Sequence, residues 1–309
     1  MGFKSKHILS IQDLSRNDIS EILKLAKKFK TSQNFGKNLL NGKTVVTLFF
    51  EPSTRTRSSF EMAAKRLGAS SINLSGSGSS MVKGETLLDT AQNIEAMNPD
   101  ILIIRHFSSG APYVFSKMLK TPIINAGDGF HEHPSQALLD LMTIEEAKGK
   151  TTGLKVLIVG DIAHSRVARS NILLLKKMGA RPFVCGPPTL IPPDLKKWDI
   201  DISYDLQSAI QDKDVVMMLR IQEERQMQNQ FSTKREYVKY YGLTHETLKY
   251  AKKDMVIMHP GPLNRGTEIS PEIADSPHSL ILSQVVNGVA VRMALLYLLG
   301  LGGKVEVRH

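Results

Sequence analysis

Short apolar runs rich in β-branched residues alternate along the chain with segments whose apolar positions recur at helical spacing. Ile19, Ile22, Leu23, Ala26 and Phe29 predict a helix, with Ser15 as its cap and Asp18 three residues on. Thr44 to Phe50 reads as a buried strand. Phe60, Ala63, Ala64 and Leu67 mark a helix stopped at Gly68. Strands are expected at Ile72 to Leu74, Ile101 to Ile104 and Ile123-Ile124, and Leu88, Ala91, Ile94 and Met97 share a helix face. Pro134 opens a helix carrying Ala137, Leu138, Leu141 and Met142, since proline is favoured at a first helical position.

A polar, glycine-containing stretch from Lys148 to Gly153 is a candidate seam, and a second set of units follows it. Lys155 to Gly160 is a central strand, Val167, Asn171, Leu174 and Met178 a helix, and Val215 to Leu219 and Met255 to Met258 further strands. An apolar helix through Val285, Val289, Met293, Leu296 and Leu299 closes the chain. Repeated βα units imply an α/β fold: doubly wound domains, each a parallel sheet covered by helices. A length of 309 residues makes two domains the natural expectation.

Composition narrows the class. Hydrophobic residues make up 41% and charged residues 23%, enough for two cores without a staple. The net charge is +10, yet the basic residues stand in pairs such as Lys176-Lys177 and Lys252-Lys253 rather than blocks. That favours solvated helix faces and an anionic small substrate over nucleic acid, as does an aromatic content of 6% with no stacking platform. The single cysteine, Cys185, ends an apolar run and reads as a buried structural thiol. No signal peptide and no apolar run of about 18 residues is apparent, so a cytoplasmic enzyme is expected.

The polar residues of interest follow strands: Ser53 to Arg57, Arg105-His106, His131 to Gln136, Asp161 to Arg166, Arg220 to Gln222 and His259 to Arg265. Ligands of open α/β sheets bind beyond the carboxyl ends of the strands. Ser53, Thr54, Arg55, Thr56 and Arg57 lie between a strand and a helix start, where hydroxyls, free backbone N–H groups and the helix dipole cradle an oxyanion. Arg55 adds a charge-assisted bond, while Arg57 is expected to pair inside the fold. His131, Glu132 and His133 lack metal-ligand spacing and a third ligand, so no metal is expected.

The loop matches the Ser-x-Arg-Thr-Arg signature of the aspartate and ornithine carbamoyltransferases, which the chain resembles. His133-Pro134-Ser135-Gln136-Ala137-Leu138-Leu139-Asp140 is similar to that family's second carbamoyl-phosphate segment, and the matches run from Thr44 to the last helix. The resemblance implies a carbamoyl-phosphate domain of residues 1–132 plus 286–309, with the C-terminal helix packing back on it, and an amino-acid domain of residues 133–285. It implies carbamoyl transfer to an amine, an early step of de novo pyrimidine biosynthesis if the amine is aspartate, with no cofactor. Arg55, Thr56, Arg105 and His133 would be catalytic. Ser53, Thr54, Gln136, Pro260, Gly261 and Pro262 would complete the carbamoyl-phosphate site, the carbonyls of Pro260 and Gly261 accepting from the carbamoyl NH2.

Aspartate carries two carboxylates, so its site needs several cations. Lys83, Arg166 and Arg220 fit, with Gln222 beside them. His259-Pro260-Gly261-Pro262-Leu263 lacks the cysteine of the ornithine enzymes' His-Cys-Leu-Pro segment and is similar to the aspartate enzymes. Val167 stands where some relatives have threonine, removing a hydroxyl. The resemblance also implies a homotrimer whose Ser/Gly-rich loop reaches a neighbouring site with Ser79 (or Ser80) and Lys83, and leaves room for regulatory or other pathway chains. The rivals are a transferase for ornithine or another amine, and a non-catalytic anion- or RNA-binding protein. Neither a membrane nor nucleic acid is an expected partner.

Overall fold

The computed structural model describes residues 3–32, 35–75, 86–221 and 233–302. The chain divides into two compact units, residues 1–139 with 286–309 and residues 140–285. The first division falls inside a helix, so His133 and Gln136 belong to the first unit, whereas the expected boundary lay just ahead of His133.

In the first unit, helix α1 (Arg16–Thr31) starts at a full capping box. Ser15 accepts from the Asp18 N–H, and the Asp18 carboxylate accepts from the Ser15 N–H. Strand β1 (Thr44–Phe49) leads to α2 (Thr54–Arg66), which ends at Leu67 before Gly68 at φ +79°, a conformation glycine adopts without strain. There follow β2 (Ser70–Ser75), α3 (Leu87–Ala96), β3 (Ile101–His106), α4 (Ala111–Met118), β4 (Ile123–Asp128) and α5 (Pro134–Lys148). The four strands form one parallel sheet in the order β2-β1-β3-β4. The face predicted for α3 is only half realised: Ala91 and Ile94 are buried, but Leu88 and Met97 are exposed.

The second unit holds β5 (Lys155–Val159), α6 (Arg166–Lys177), β6 (Arg181–Cys185), β7 (Asp201–Ser203), α7 (Leu206–Ala209), β8 (Val215–Met218), α8 (Lys234–Tyr241), α9 (His245–Leu248), β9 (Val256–Met258) and α10 (Pro271–Ala274). Its parallel sheet has the order β7-β6-β5-β8-β9. Alternation sorts the core. Val156, Ile158, Val215 and Met217 pack into one cluster, and Leu157, Val159, Val216 and Met218 into another. Both faces are therefore buried, which is why the strands read as unbroken apolar runs. Cys185 sits in the second cluster, fully buried, and burial pushes its thiol up to about 12.

Helix α11 (Ile281–Gly300) closes the fold, and its residues from Val286 on belong to the first unit. Tyr297 meets Phe29 of α1 edge-on at 5.9 Å, and Arg292 lies over the Phe60 ring of α2 at 5.1 Å while donating to Ser59 Oγ at 2.9 Å. Contrary to the expectation from the apolar runs, this helix is long and apolar enough to cross a membrane by length and composition. The reason lies in packing: its last three turns are core on nearly every side, so no polar face is required.

Candidate active site

Chain order reverses in the first sheet between β1 and β3, because β2 lies to one side of β1 and β3 to the other. Such a switch point opens a crevice at the strands' carboxyl ends. Phe49 and Arg105 are register partners there, and the Phe50 N–H donates to the Arg105 carbonyl at 2.9 Å. The predicted loop follows at once. Ser53 is the N-cap of α2, but its side chain makes no capping bond, and no acidic residue stands in the first turn. The N–H groups of that turn therefore receive no acceptor from the Ser53 side chain, the arrangement that favours an anion at a helix start. Thr54 and Arg55 are exposed and Thr56 is buried.

Arg57 departs from its expected role. It pairs with Glu61 one turn on, Nε to Oε1 at 3.7 Å, on the exposed surface of α2 rather than inside the fold. Arg105 is held further inside: its Nε lies 3.3 Å from Glu51 Oε2, and Nη1 donates to the Ala126 carbonyl at 3.3 Å. Its neighbour His106 is buried and accepts the Ser108 N–H on Nδ1 at 2.8 Å, so Nε2 carries the proton. Burial lowers its pKa, which keeps the ring neutral.

β4 is the next strand beyond β3, and His133 and Gln136 follow it at the start of α5. Both are buried, at 4% and 8% exposure. Ser135 Oγ lies 3.5 Å from His133 Nδ1, and the His133 carbonyl accepts from the N–H groups of Gln136 and Ala137. Three adjacent strand ends therefore present, in turn, Ser53 to Thr56, Arg105, and His133 with Gln136.

The second unit repeats the plan. Its order reverses between β5 and β8, and β9 adjoins β8. Arg166 opens α6 after β5, Arg220 follows β8, and Pro260, Gly261 and Pro262 follow β9. Arg166 is only 4% exposed, and the helix it opens is capped by Ser165 Oγ, which accepts from the Ala168 N–H at 3.1 Å. Asp161, fully buried, accepts from the His164 N–H and from its Nδ1 at 2.8 Å. His259 Nδ1 accepts from the Gly261 N–H at 2.8 Å, and the Gly261-Pro262 peptide is cis. Ser79, Ser80, Lys83 and Gln222 lie outside the described residues.

Buried carboxylates were not anticipated as part of either half. Glu268 is fully buried and accepts from the Ile221 N–H at 3.1 Å and from the Asn264 N–H and Nδ2 at 2.8 Å each. It joins the loop of Arg220 to the loop of Pro260–Pro262. Burial pushes its pKa up, against the pull of those donors. An acid next to apolar residues, as in Glu268-Ile269 or Leu139-Asp140-Leu141, is the sequence signal that marks such positions.

Comparison with known proteins also divides the chain in two, but late in α5 and with α11 falling in the second part. Residues 6–146 match the family model described as the aspartate/ornithine carbamoyltransferase carbamoyl-P binding domain, and residues 152–299 the Asp/Orn binding domain of the same family. The aspartate carbamoyltransferase catalytic subunit of Syntrophus aciditrophicus (strain SB) is 58% identical over 302 residues, 97% of this chain and 98% of that one. Among solved structures, ornithine carbamoyltransferase from Pyrococcus furiosus superposes with a TM-score of 0.88 at 32% identity, over 98% of this chain and 100% of that one. Aspartate transcarbamoylase from Trypanosoma cruzi, in complex with carbamoyl phosphate and aspartate, gives 0.87 at 32% identity, over 96% and 97%.

Proposed function

The chain belongs to the aspartate/ornithine carbamoyltransferase family, and from that premise we propose how it works. It transfers the carbamoyl group of carbamoyl phosphate to the amine of L-aspartate, giving N-carbamoyl-L-aspartate and phosphate, an early step of de novo pyrimidine biosynthesis. The observation that carries the reading is the first switch point: an uncapped, acid-free helix start with Arg55 and three hydroxyls, set beside Arg105.

The phosphate of carbamoyl phosphate sits on the first N–H groups of α2, with Ser53, Thr54, Thr56 and Arg55 around it. Attack by the amine lone pair on the carbonyl carbon builds negative charge on the carbonyl oxygen. Thr56, Arg105 and His133 donate to that oxygen, and one such donor is worth about 3–4 kcal/mol of barrier. Gln136 and the carbonyls of Pro260 and Gly261 read the carbamoyl NH2, with Pro262 fixing their loop. Arg166 and Arg220, with Gln222, hold the aspartate carboxylates. The C–O bond to phosphorus-bound oxygen then breaks, and phosphate leaves with the amine proton. No covalent enzyme intermediate and no cofactor is required.

The reading extends to a cytoplasmic homotrimer in which Ser79 and Lys83 serve a neighbouring chain's site. One assay separates the substrates: phosphate release from carbamoyl phosphate with aspartate, then with ornithine. Release with aspartate is expected; turnover with ornithine alone overturns the aspartate assignment, and none with either overturns the enzyme reading. Mixing inactive Lys83→Ala chains with inactive Arg105→Ala chains restores activity if sites are shared, and exchanged mixtures that stay inactive refute sharing.

A further inference from the structure

Between β4 and His133 the chain makes a short turn closed on itself. The Asp128 N–H donates to the Glu132 carbonyl at 3.1 Å, the Glu132 N–H to Asp128 Oδ1 at 3.1 Å, and the His131 N–H to the Asp128 carbonyl at 2.9 Å. Gly129 at φ +47° lets the turn press on the loop after β3: a Cβ there would stand 2.7 Å from the Ser109 backbone nitrogen. The Gly129 N–H donates to the His106 carbonyl at 2.9 Å. Asp128, 1% exposed, also takes Asn125 Nδ2 at 2.8 Å, the Gly110 N–H at 2.6 Å and His131 Nδ1 at 3.0 Å.

The second carboxylate reaches the opposite way. Glu132 is 0% exposed, and its Oε2 accepts from the Ile11 N–H at 3.0 Å while its Oε1 accepts from Ser10 Oγ. Ser10 Oγ accepts in turn from the Gln12 N–H at 3.0 Å. These residues continue an extended segment along the outer edge of β4. The Ile8 N–H donates to the Ile123 carbonyl and the Asn125 N–H to the Ile8 carbonyl, at 2.8 Å each, and Asn125 Nδ2 to the Leu9 carbonyl at 2.9 Å. A buried carboxylate is retained only where donors compensate its lost hydration. Here Ser10 and Ile11 donate to Glu132 from the N-terminal segment, while its peptide carries His133.

We propose that Glu132 is a positioning residue for carbamoyl transfer, through which the N-terminal segment fixes the placement of the His133 imidazole against the reacting carbonyl oxygen. The proposal rests on the role given to His133 above. Glu132 touches no substrate. Its carboxylate sets where the His133 peptide begins, and Pro134 and α5 fix where it goes next. Displacements of about 1 Å at such a group cost on the order of a hundredfold in rate.

The test compares variants of the full chain at substrate saturation, with rates per mole of folded chain from circular dichroism. Glu132→Ala is expected to lower kcat about ten- to a hundredfold while KM for carbamoyl phosphate stays within about threefold. Glu132→Gln keeps an acceptor for Ile11 and can donate to Ser10, so it recovers kcat to within about threefold of the parent. Glu132→Asp keeps the charge but shortens the reach, and loses about tenfold. If the alanine variant does not fold, the aspartate and glutamine variants carry the test. Parent-like kcat in Glu132→Asp, or a glutamine variant no better than aspartate, overturns the proposal. Absence of turnover in the parent overturns the reading beneath it instead.

Discussion

The two sheets of this chain solve one geometric problem in opposite ways. Each reverses its strand order once, between β1 and β3 in the first unit and between β5 and β8 in the second, and each starts a helix just past the earlier strand. In the second unit Ser165 spends its hydroxyl on the helix, and the residue presented is the buried cation Arg166. In the first, Ser53 makes no capping bond, and exposed Thr54 and Arg55 surround the helix start. One helix start lacks a cap from its serine, and the other presents a guanidinium on a capped helix. The difference suits the ligands proposed for them: a compact phosphate would be ringed by short N–H and O–H groups, whereas a longer dicarboxylate would take extended planar cations at its ends.

The largest expected effect falls on the first site. Arg55→Ala should lower turnover at least about a hundredfold, the range for losing a charge-stabilising donor. Because Arg55 is exposed, the thermal midpoint should stay near the parent's, a surface change of about 0.5 kcal/mol or less. Steady-state kinetics with a melt settle it, and near-normal turnover would remove the phosphate clamp.

The paired serines sharpen the contrast. Ser165→Ala loses a formed cap and should destabilise the fold by about 1 kcal/mol. Ser53→Ala loses no cap, so stability should hold while KM for carbamoyl phosphate rises about tenfold, the value of one bond to a charged group. Equal stability losses in urea melts of the two variants would erase the distinction.

Much of this plan was readable before the fold. The alternation of runs announced parallel sheets, the Ser15–Asp18 box announced α1, and polar clusters after strands marked the sites. What escaped notice was set by partners far away in sequence. Glu132 looks like a surface acid beside two histidines, yet its partner Ser10 is 122 positions distant. Whether Arg57 or Arg105 would be the enclosed arginine depended on Glu51 lying beside the switch point, which no local pattern encodes. The short α4, with Ala111, Pro112 and Phe115 buried, has too few turns to display a period. In α11, Leu282, Val285 and Val286 stay exposed although the later turns are core, because an apolar residue can face solvent without local penalty in the pattern.

The smallest effect concerns the sheets' outer edges. The segment His278–Leu280 lines β9, exchanging bonds with Ile257. The segment through Ile8 lines β4, but it adds a titratable contact: His7 Nδ1 accepts from the Ile123 N–H at 3.1 Å, which requires a neutral ring. Burial, then the charges of Lys6 and Lys117, lower the His7 pKa in the fold below its ordinary 6.5. The unfolded chain therefore takes up the proton first as pH falls. The contact stabilises fully above about 6.5 and is lost as pH drops through the lowered folded value. The protection of the Ile123 amide, its exchange rate divided into the intrinsic rate at each pH, should fall over that window, and His7→Gln, which accepts at any pH, should keep it constant. A protection factor in the parent that stays flat from pH 7 to 5, two rounded settings that bracket the ordinary histidine value of about 6.5, would show that the edge of the first sheet is closed without His7, as β9 is lined by backbone bonds to Ile257.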